Sequence, residues 1–199
     1  MRQRLFAYFM AREQDDPLTV AHKRRLFKDL SGTVLEIGPG AGPNLDYFPA
    51  GIRWMGIEPN PYMHAYLHQR AERLGFPIEL RGLEGERLAV EDESVDYVVS
   101  TLVLCSVPNQ ADTLAEIRRV LKPGGRFVFF EHVAAPDGSG LRRVQRMLRP
   151  AWKWFGDGCH PDRETWATIE AAGFSEVQIE HFRLPEGPVA PHIAGFAIK

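Results

Sequence analysis

Two cysteines stand among the 199 residues, Cys105 and Cys159, far apart in the chain. That scarcity excludes a disulfide framework, and with no C-x-x-C pair a zinc site, or any other metal, is not expected. A lone cysteine behaves as a small core hydrophobe, so Cys105 is not expected to be a nucleophile. No apolar run approaches the length needed to span a bilayer. The N-terminus lacks the apolar core and small-residue cleavage site of a secretory signal, so a reducing cytoplasm is the expected compartment. A basic surplus is missing too. Lys plus Arg number 24 against 26 Asp plus Glu, for a net charge of −2. A general nucleic-acid binder carries the opposite balance, so no nucleic-acid partner is expected. Repeats, linkers and low-complexity segments are also lacking. A chain of this length is expected to form one domain, residues 1–199, around a sizeable core.

What is there centres on Glu36-Ile37-Gly38-Pro39-Gly40-Ala41-Gly42. Thr33-Val34-Leu35 before it reads as a buried strand. Pro43, Asn44, Leu45, Tyr47 and Phe48 after it read as a short helix, with Pro43 suited to its first turn. The glycines therefore sit on a strand-to-helix turn, where φ > 0 and close backbone approach to a ligand are both needed. Ile52–Ile57 reads as the next strand, and Glu58 stands at its end, 20 residues after Gly38. That is the spacing at which a carboxylate meets ribose hydroxyls in nucleotide-binding α/β folds. The third glycine comes one residue too early for a dinucleotide fingerprint. Glu36 would repel a diphosphate and suits a cationic ligand end, an ammonium or a sulfonium.

The rest of the chain alternates. Residues 1–30 read as an N-terminal pair of amphipathic helices, split at Asp15-Asp16-Pro17. They are expected to pack over a cleft or the sheet edge. Their arginines and aromatics leave peripheral membrane contact open. A helix over Tyr62–Leu74 is stopped by Gly75. His64 and His68 share one of its faces and are expected to be surface or packing groups. Strands follow at Pro77–Arg81, Val95–Ser100 and Arg126–Phe130. Between them come a loop at residues 82–86 and a helix over Asp112–Leu121. Thr101 to Val107 is expected to line the crevice at the strand ends. Strand–helix alternation of this kind predicts a parallel sheet with helices on both faces. Residues 134–161 form an insertion rich in arginine and tryptophan. Asp162 is expected to cap a helix running to Gly173. Glu176–Phe182 and His192–Ile198 read as a terminal antiparallel hairpin.

The stretch Glu36–Gly42 resembles motif I of the class I S-adenosylmethionine-dependent methyltransferases, and Leu-Lys-Pro-Gly-Gly at 121–125 matches the same class. The resemblance implies the Rossmann-like α/β fold, a seven-stranded, mostly parallel sheet with an antiparallel last strand, and S-adenosyl-L-methionine as cofactor. It implies a cofactor set of Glu36, Gly38, Gly40, Gly42, Glu58, Pro59, Glu84, Gly85 and Thr101, with Glu84 and Gly85 beside the adenine. Thr101–Val107, Glu131–Val133, Gly156–Cys159, Arg163–Trp166 and Pro191–Ile193 look like the methyltransferase-like 7 family, the microsomal alkyl thiol S-methyltransferases of animals. The match runs from about Val34 to Lys199. The animal proteins carry an N-terminal hydrophobic anchor; this chain begins instead with a short polar-studded helix, so membrane insertion is not carried over.

On that resemblance the expected acceptor is a small, fairly apolar thiol. Quinone C-methyltransferases, phospholipid N-methyltransferases and a non-catalytic cofactor-binding protein are the alternatives. Candidates for a base or an orienting group are His132, Asp157, His160 and His192. The insertion, 134–161, is expected to cover the acceptor site, and Trp152 and Trp154 either to wall an apolar acceptor pocket or to pack the insertion onto the core. The oligomeric state is not set by the sequence.

Overall fold

The computed structural model describes residues 2–84, 87–185 and 187–199, with backbone alone at Glu84. Seven strands form its central sheet: β1 (Thr33–Ile37), β2 (Arg53–Ile57), β3 (Glu79–Arg81), β4 (Val95–Thr101), β5 (Leu121–His132), β6 (Glu176–Arg183) and β7 (Pro191–Ile198). They lie in the order β3-β2-β1-β4-β5-β7-β6. β1 pairs in parallel with β2 and β4, β2 with β3, and β4 with β5. β7 runs antiparallel between β5 and β6. The helices are α1 (Arg2–Met10), α2 (Pro17–Phe27), α3 (Pro61–Leu74), α4 (Gln110–Val120), α5 (Gly140–Phe155) and α6 (Thr165–Ala171). The expected seven-stranded, mostly parallel sheet and its terminal hairpin are what the chain forms.

Successive side chains of a strand point to opposite faces, and the sequence fills both. Leu35, Ile37, Val98, Phe127 and Phe129 pack against Leu114 and Ile117 of α4 and Ile169 of α6. Val34, Val99 and Val128 pack on the other face, against Phe27 of α2 and Leu67 and Ala71 of α3. α1 lies over α3, where Ala7 meets Ala41 and Met63. Helix ends follow local chemistry. Asp16 caps α2, accepting from the Leu18 N–H at 2.9 Å, with Pro17 in the first turn. Asn60 caps α3 in the same way, and Gly75 ends it in the left-handed conformation.

Several local expectations are corrected. Asp162 does not cap α6. Glu164 holds the cap position without a side-chain bond, and Asp162 pairs with Arg149 at 3.2 Å. The segment after Gly42 forms a single 3-10 turn, Pro43–Asp46, because Phe48 and Ile52 are drawn at once into the core. Residues Leu83–Glu84 pair antiparallel with Arg87–Leu88 rather than forming an open loop. β5 begins at Leu121 and passes the Lys122–Gly125 turn through a register shift against β4.

One close approach links the fold to the crevice. Trp54 and Gly56 share a face of β2, and a Cβ at Gly56 would come within 2.2 Å of the indole Cη2. That indole is buried and donates through Nε1 to Glu36 at 2.9 Å. Gly56→Ala should therefore displace the indole, at about 1–3 kcal/mol for overpacking. Urea denaturation checks this; an unchanged midpoint would mean that the indole turns aside at no cost.

Candidate active site

The strand order reverses between β2 and β4, on either side of β1, which makes the C-terminal end of β1 the switch point of the sheet. There the structure opens into a cavity of about 610 Å³. Its floor is the glycine turn and the ends of β2 and β4. Its roof is α1 and the segment leading into α2. Phe6, Met10, Leu102, Val103 and Phe130 give it an apolar side.

Glu58 lines the cavity at the end of β2. Its carboxylate accepts from the Gly40 N–H and the Asn60 N–H, each at 2.8 Å. Burial raises its pKa, and the two N–H bonds oppose that shift. Gly38, Gly40, Pro59 and Thr101 line the cavity as well. Gly38 needs to be glycine: its φ is +60° and a Cβ there would stand 2.6 Å from Val103 Cγ2. Gly42, expected in the same set, is not in the lining. It turns toward Leu67, which a Cβ would meet at 2.7 Å, so its requirement comes from packing against α3. Gly85 and the side chain of Glu84 lie outside the described residues.

Glu36 is fully buried at the cavity floor. Asn44 Nδ2 donates to one of its oxygens at 2.7 Å and the Trp54 indole to the other at 2.9 Å. Asn44 also donates to Thr101 Oγ1 at 2.9 Å. Burial pushes the Glu36 pKa up to about 7. Three further residues escaped the sequence reading. Lys23, buried, lines the cavity and is held by both oxygens of Asp15 at 2.8 Å. Asn44 is the second. Glu131, buried at the end of β5, is the third. Its Oε1 accepts from Ser100 Oγ at 2.6 Å and from the N–H groups of Val103 and Leu104 at 3.1 and 3.2 Å. These bonds hold the chain after β4 while Leu102, at φ +57°, turns it through the left-handed region. Only a buried acid just past an apolar run hinted at Glu131.

Of the four base candidates, the structure puts Asp157 alone in the lining. Asp157 accepts from Arg2 at 2.9 Å, and its charge contributes to the raised pKa of Glu58, so it stands on the Glu58 side of the cavity. His132 and His192 are register partners at the end of β5 and the start of β7, and both are buried. His132 Nε2 is 3.0 Å from Cys159 Sγ. His192 stacks among Phe130 and Phe182, and burial pushes its pKa down to about 4. His160 turns its Nδ1 to the Cys105 carbonyl at 3.3 Å. A strand-end position did not bring these imidazoles to the rim, because β7 and the turn after α5 cover them. The Trp154 ring is exposed and packs edge-on against Phe155, and neither Trp152 nor Trp154 lines the cavity. His64 binds the Glu58 carbonyl at 2.8 Å, which accounts for it as a packing group.

The comparisons agree with this geometry. A family model described as a methyltransferase domain matches residues 35–129. A solved S-adenosylmethionine-dependent methyltransferase from Aquifex aeolicus superposes with a TM-score of 0.63 at 19% identity, covering 92% of this chain and 94% of that one. The [4+2]-cyclase SpnF superposes at 0.74 with 18% identity, covering 95% and 83%. At such identities the likeness speaks for the fold. Fold, crevice and domain match together define a class I S-adenosylmethionine-dependent methyltransferase. The rat thiol S-methyltransferase TMT1B is 45% identical over 196 residues, spanning 89% of this chain and 78% of its own. Human TMT1A is 40% identical, spanning 98% and 86%. The chain belongs to this family of thiol S-methyltransferases.

Glu36 generates a pH prediction. Its folded pKa of about 7 lies above the ordinary 4.5. Between those values the folded chain holds this proton more tightly than the unfolded chain. The Glu36 contribution to stability is therefore complete below pH 4.5 and lost as the pH rises to about 7. The loss is at most about 3.5 kcal/mol, from roughly 1.4 kcal/mol per pKa unit. Glu36→Gln keeps an acceptor and removes the titration, so its stability should fall less over that window. Urea unfolding at several pH values checks this, and equal slopes in both proteins would place the titration elsewhere.

Proposed function

We propose that this chain methylates a small, apolar thiol, with S-adenosylmethionine as donor. The observation that carries the proposal is the apolar side of the cavity: among the described residues its lining holds no histidine. The names of the TMT1 relatives point to the same acceptor class.

The residues present fit the cofactor. Glu58, at the end of β2, is the acceptor for the ribose hydroxyls. Backbone at Gly38, Gly40 and Pro59 and the Thr101 hydroxyl line the same cavity and would hold the rest of it. Glu36, and Lys23 with its partner Asp15, lie beneath the roof, where they would meet the ammonium and carboxylate of an amino-acid end. When bound, the cofactor supplies an electrophilic methyl on a sulfonium. The chain supplies alignment and excludes water, and alignment alone is a large share of such a rate. A thiol with a pKa near 8.5 is already partly ionised at neutral pH, so no base is required. Asp157 serves with Arg2 as a latch between the turn after α5 and α1.

No helix among the described residues is long and apolar enough to cross a membrane. We place the protein in a reducing compartment, in keeping with two buried free thiols. The exposed Phe9, Met147, Trp154 and Phe155 support peripheral contact with apolar surfaces.

Transfer of tritium from labelled S-adenosylmethionine to thiols, quinols and amines tests the acceptor. Thiols should be labelled; labelled quinols or amines with unlabelled thiols would overturn the assignment. Glu58→Ala should weaken S-adenosylhomocysteine binding at least about tenfold, since a hydrogen bond to a charged group is worth about 1.5–3 kcal/mol. Calorimetric titration reads that directly, and an unchanged affinity would put Glu58 outside the site. With the thiolate taken from solution, the rate should rise with pH in step with the acceptor's own ionisation. An apparent pKa well below the free thiol's would instead require a group on the enzyme.

A further inference from the structure

Three side chains that the cavity does not use meet behind its wall. Cys105 lies in the turn after β4, His132 at the end of β5 and Cys159 in the turn after α5, and all three are buried. Their ligand atoms lie within 4.8 Å of one another. The backbone fixes the convergence. The N–H of His160 donates to the Cys105 carbonyl at 3.0 Å, which draws the two cysteine segments together. Gly156 packs so closely that a Cβ there would come within 3.0 Å of Cys159 Cβ. Packing alone explains two small buried thiols. It does not explain an imidazole nitrogen 3.0 Å from one of them with the second thiol alongside.

We infer that Cys105, His132 and Cys159 bind a zinc ion. In a tetrahedral zinc site, with Zn–S about 2.3 Å and Zn–N about 2.0 Å, ligand atoms stand roughly 3.3–3.8 Å apart. The observed cluster, with its ligand atoms within 4.8 Å of one another, stands close to that spacing. Charge selects the ion. Binding expels two thiol protons to solvent, and two thiolates with a neutral imidazole then cancel Zn²⁺. A monovalent copper ion would leave a net negative charge in an apolar interior, which is costly. Magnesium and calcium prefer oxygen ligands. The Ser106 hydroxyl, 3.4 Å from Cys105 Sγ, or a water completes the shell. The ion would join the ends of β4 and β5 to the turn that carries Asp157, and so fix one side of the cavity. The three ligands sit 27 or more residues apart in sequence, which is why motif spacing did not reveal them.

The test uses the full chain without an affinity tag, expressed with added zinc and purified without chelator. Elemental analysis should find about one zinc per chain, and a strong chelator should lower the thermal midpoint, because the binding energy of a structural zinc is folding energy. Cys159→Ala and Cys105→Ala should lose the zinc, and the chelator should then have no effect on the midpoint. If either variant fails to fold, cobalt titration of the chelated wild type should give a thiolate-to-cobalt absorption band, discharged by zinc. Wild type without zinc and without a cobalt band would overturn the inference. So would zinc retained in both variants, or a Cys105–Cys159 disulfide in the isolated protein.

Discussion

The structure depends on two carboxylates buried at the ends of β1 and β5, the parallel strands on either side of β4. An acid placed in a protein interior is costly unless donors meet it. Glu36, near the end of β1, meets Asn44 from the glycine turn and Trp54 from β2, and Asn44 carries the network on to Thr101 of β4. Glu131, at the end of β5, gathers Ser100 and the two N–H groups that follow the bend at Leu102. Each acid converts a loop with many conformations into one. Between them they fix both loops that make the cavity floor, and the left-handed turn at Leu102 is sustained by the bonds on either side of it.

The roof is held differently. Arg2 and Asp157 bridge α1 to the turn after α5 with the arginine 43% exposed. A pair of that kind is worth about 1 kcal/mol or less. Lys23 and Asp15 are more deeply set, and Asp15 also accepts from the Tyr47 hydroxyl at 2.9 Å, which ties the segment leading into α2 to the body of the domain. The floor is thus held by buried hydrogen bonds, and the end of α1 by an ion pair at the surface. That order suits a site which must admit a large ligand and then keep water from it.

Much of the floor was legible because it rests on short-range chemistry. The glycine spacing, the apolar runs of β1 to β5 and the carboxylate at Glu58 each follow from a few adjacent residues. What failed depended on partners distant in the chain. Asp162 looks like a helix cap until Arg149, 13 residues earlier, claims it. His132 and His192 look like rim residues until the β5–β7 register seals them together. Lys23 reads as one more basic residue on an amphipathic helix until Asp15 and the fold bury it. Cys105 and Cys159 look unrelated until α5 carries one chain segment back to the other.

The same burial bears on which acceptor the cavity suits. The carboxylates at Asp15, Glu58 and Asp157 are each engaged, by Lys23, by two backbone N–H groups and by Arg2. An alkylammonium acceptor, with a pKa near 10.4, would have to lose its proton in this apolar space, and a phenolic one near 10 would face the same barrier. At pH 7 a thiol near 8.5 is about 3% ionised, and sulfur is the better nucleophile at equal basicity. A cavity that aligns and dries its contents therefore favours thiols over amines and phenols by chemistry rather than by shape.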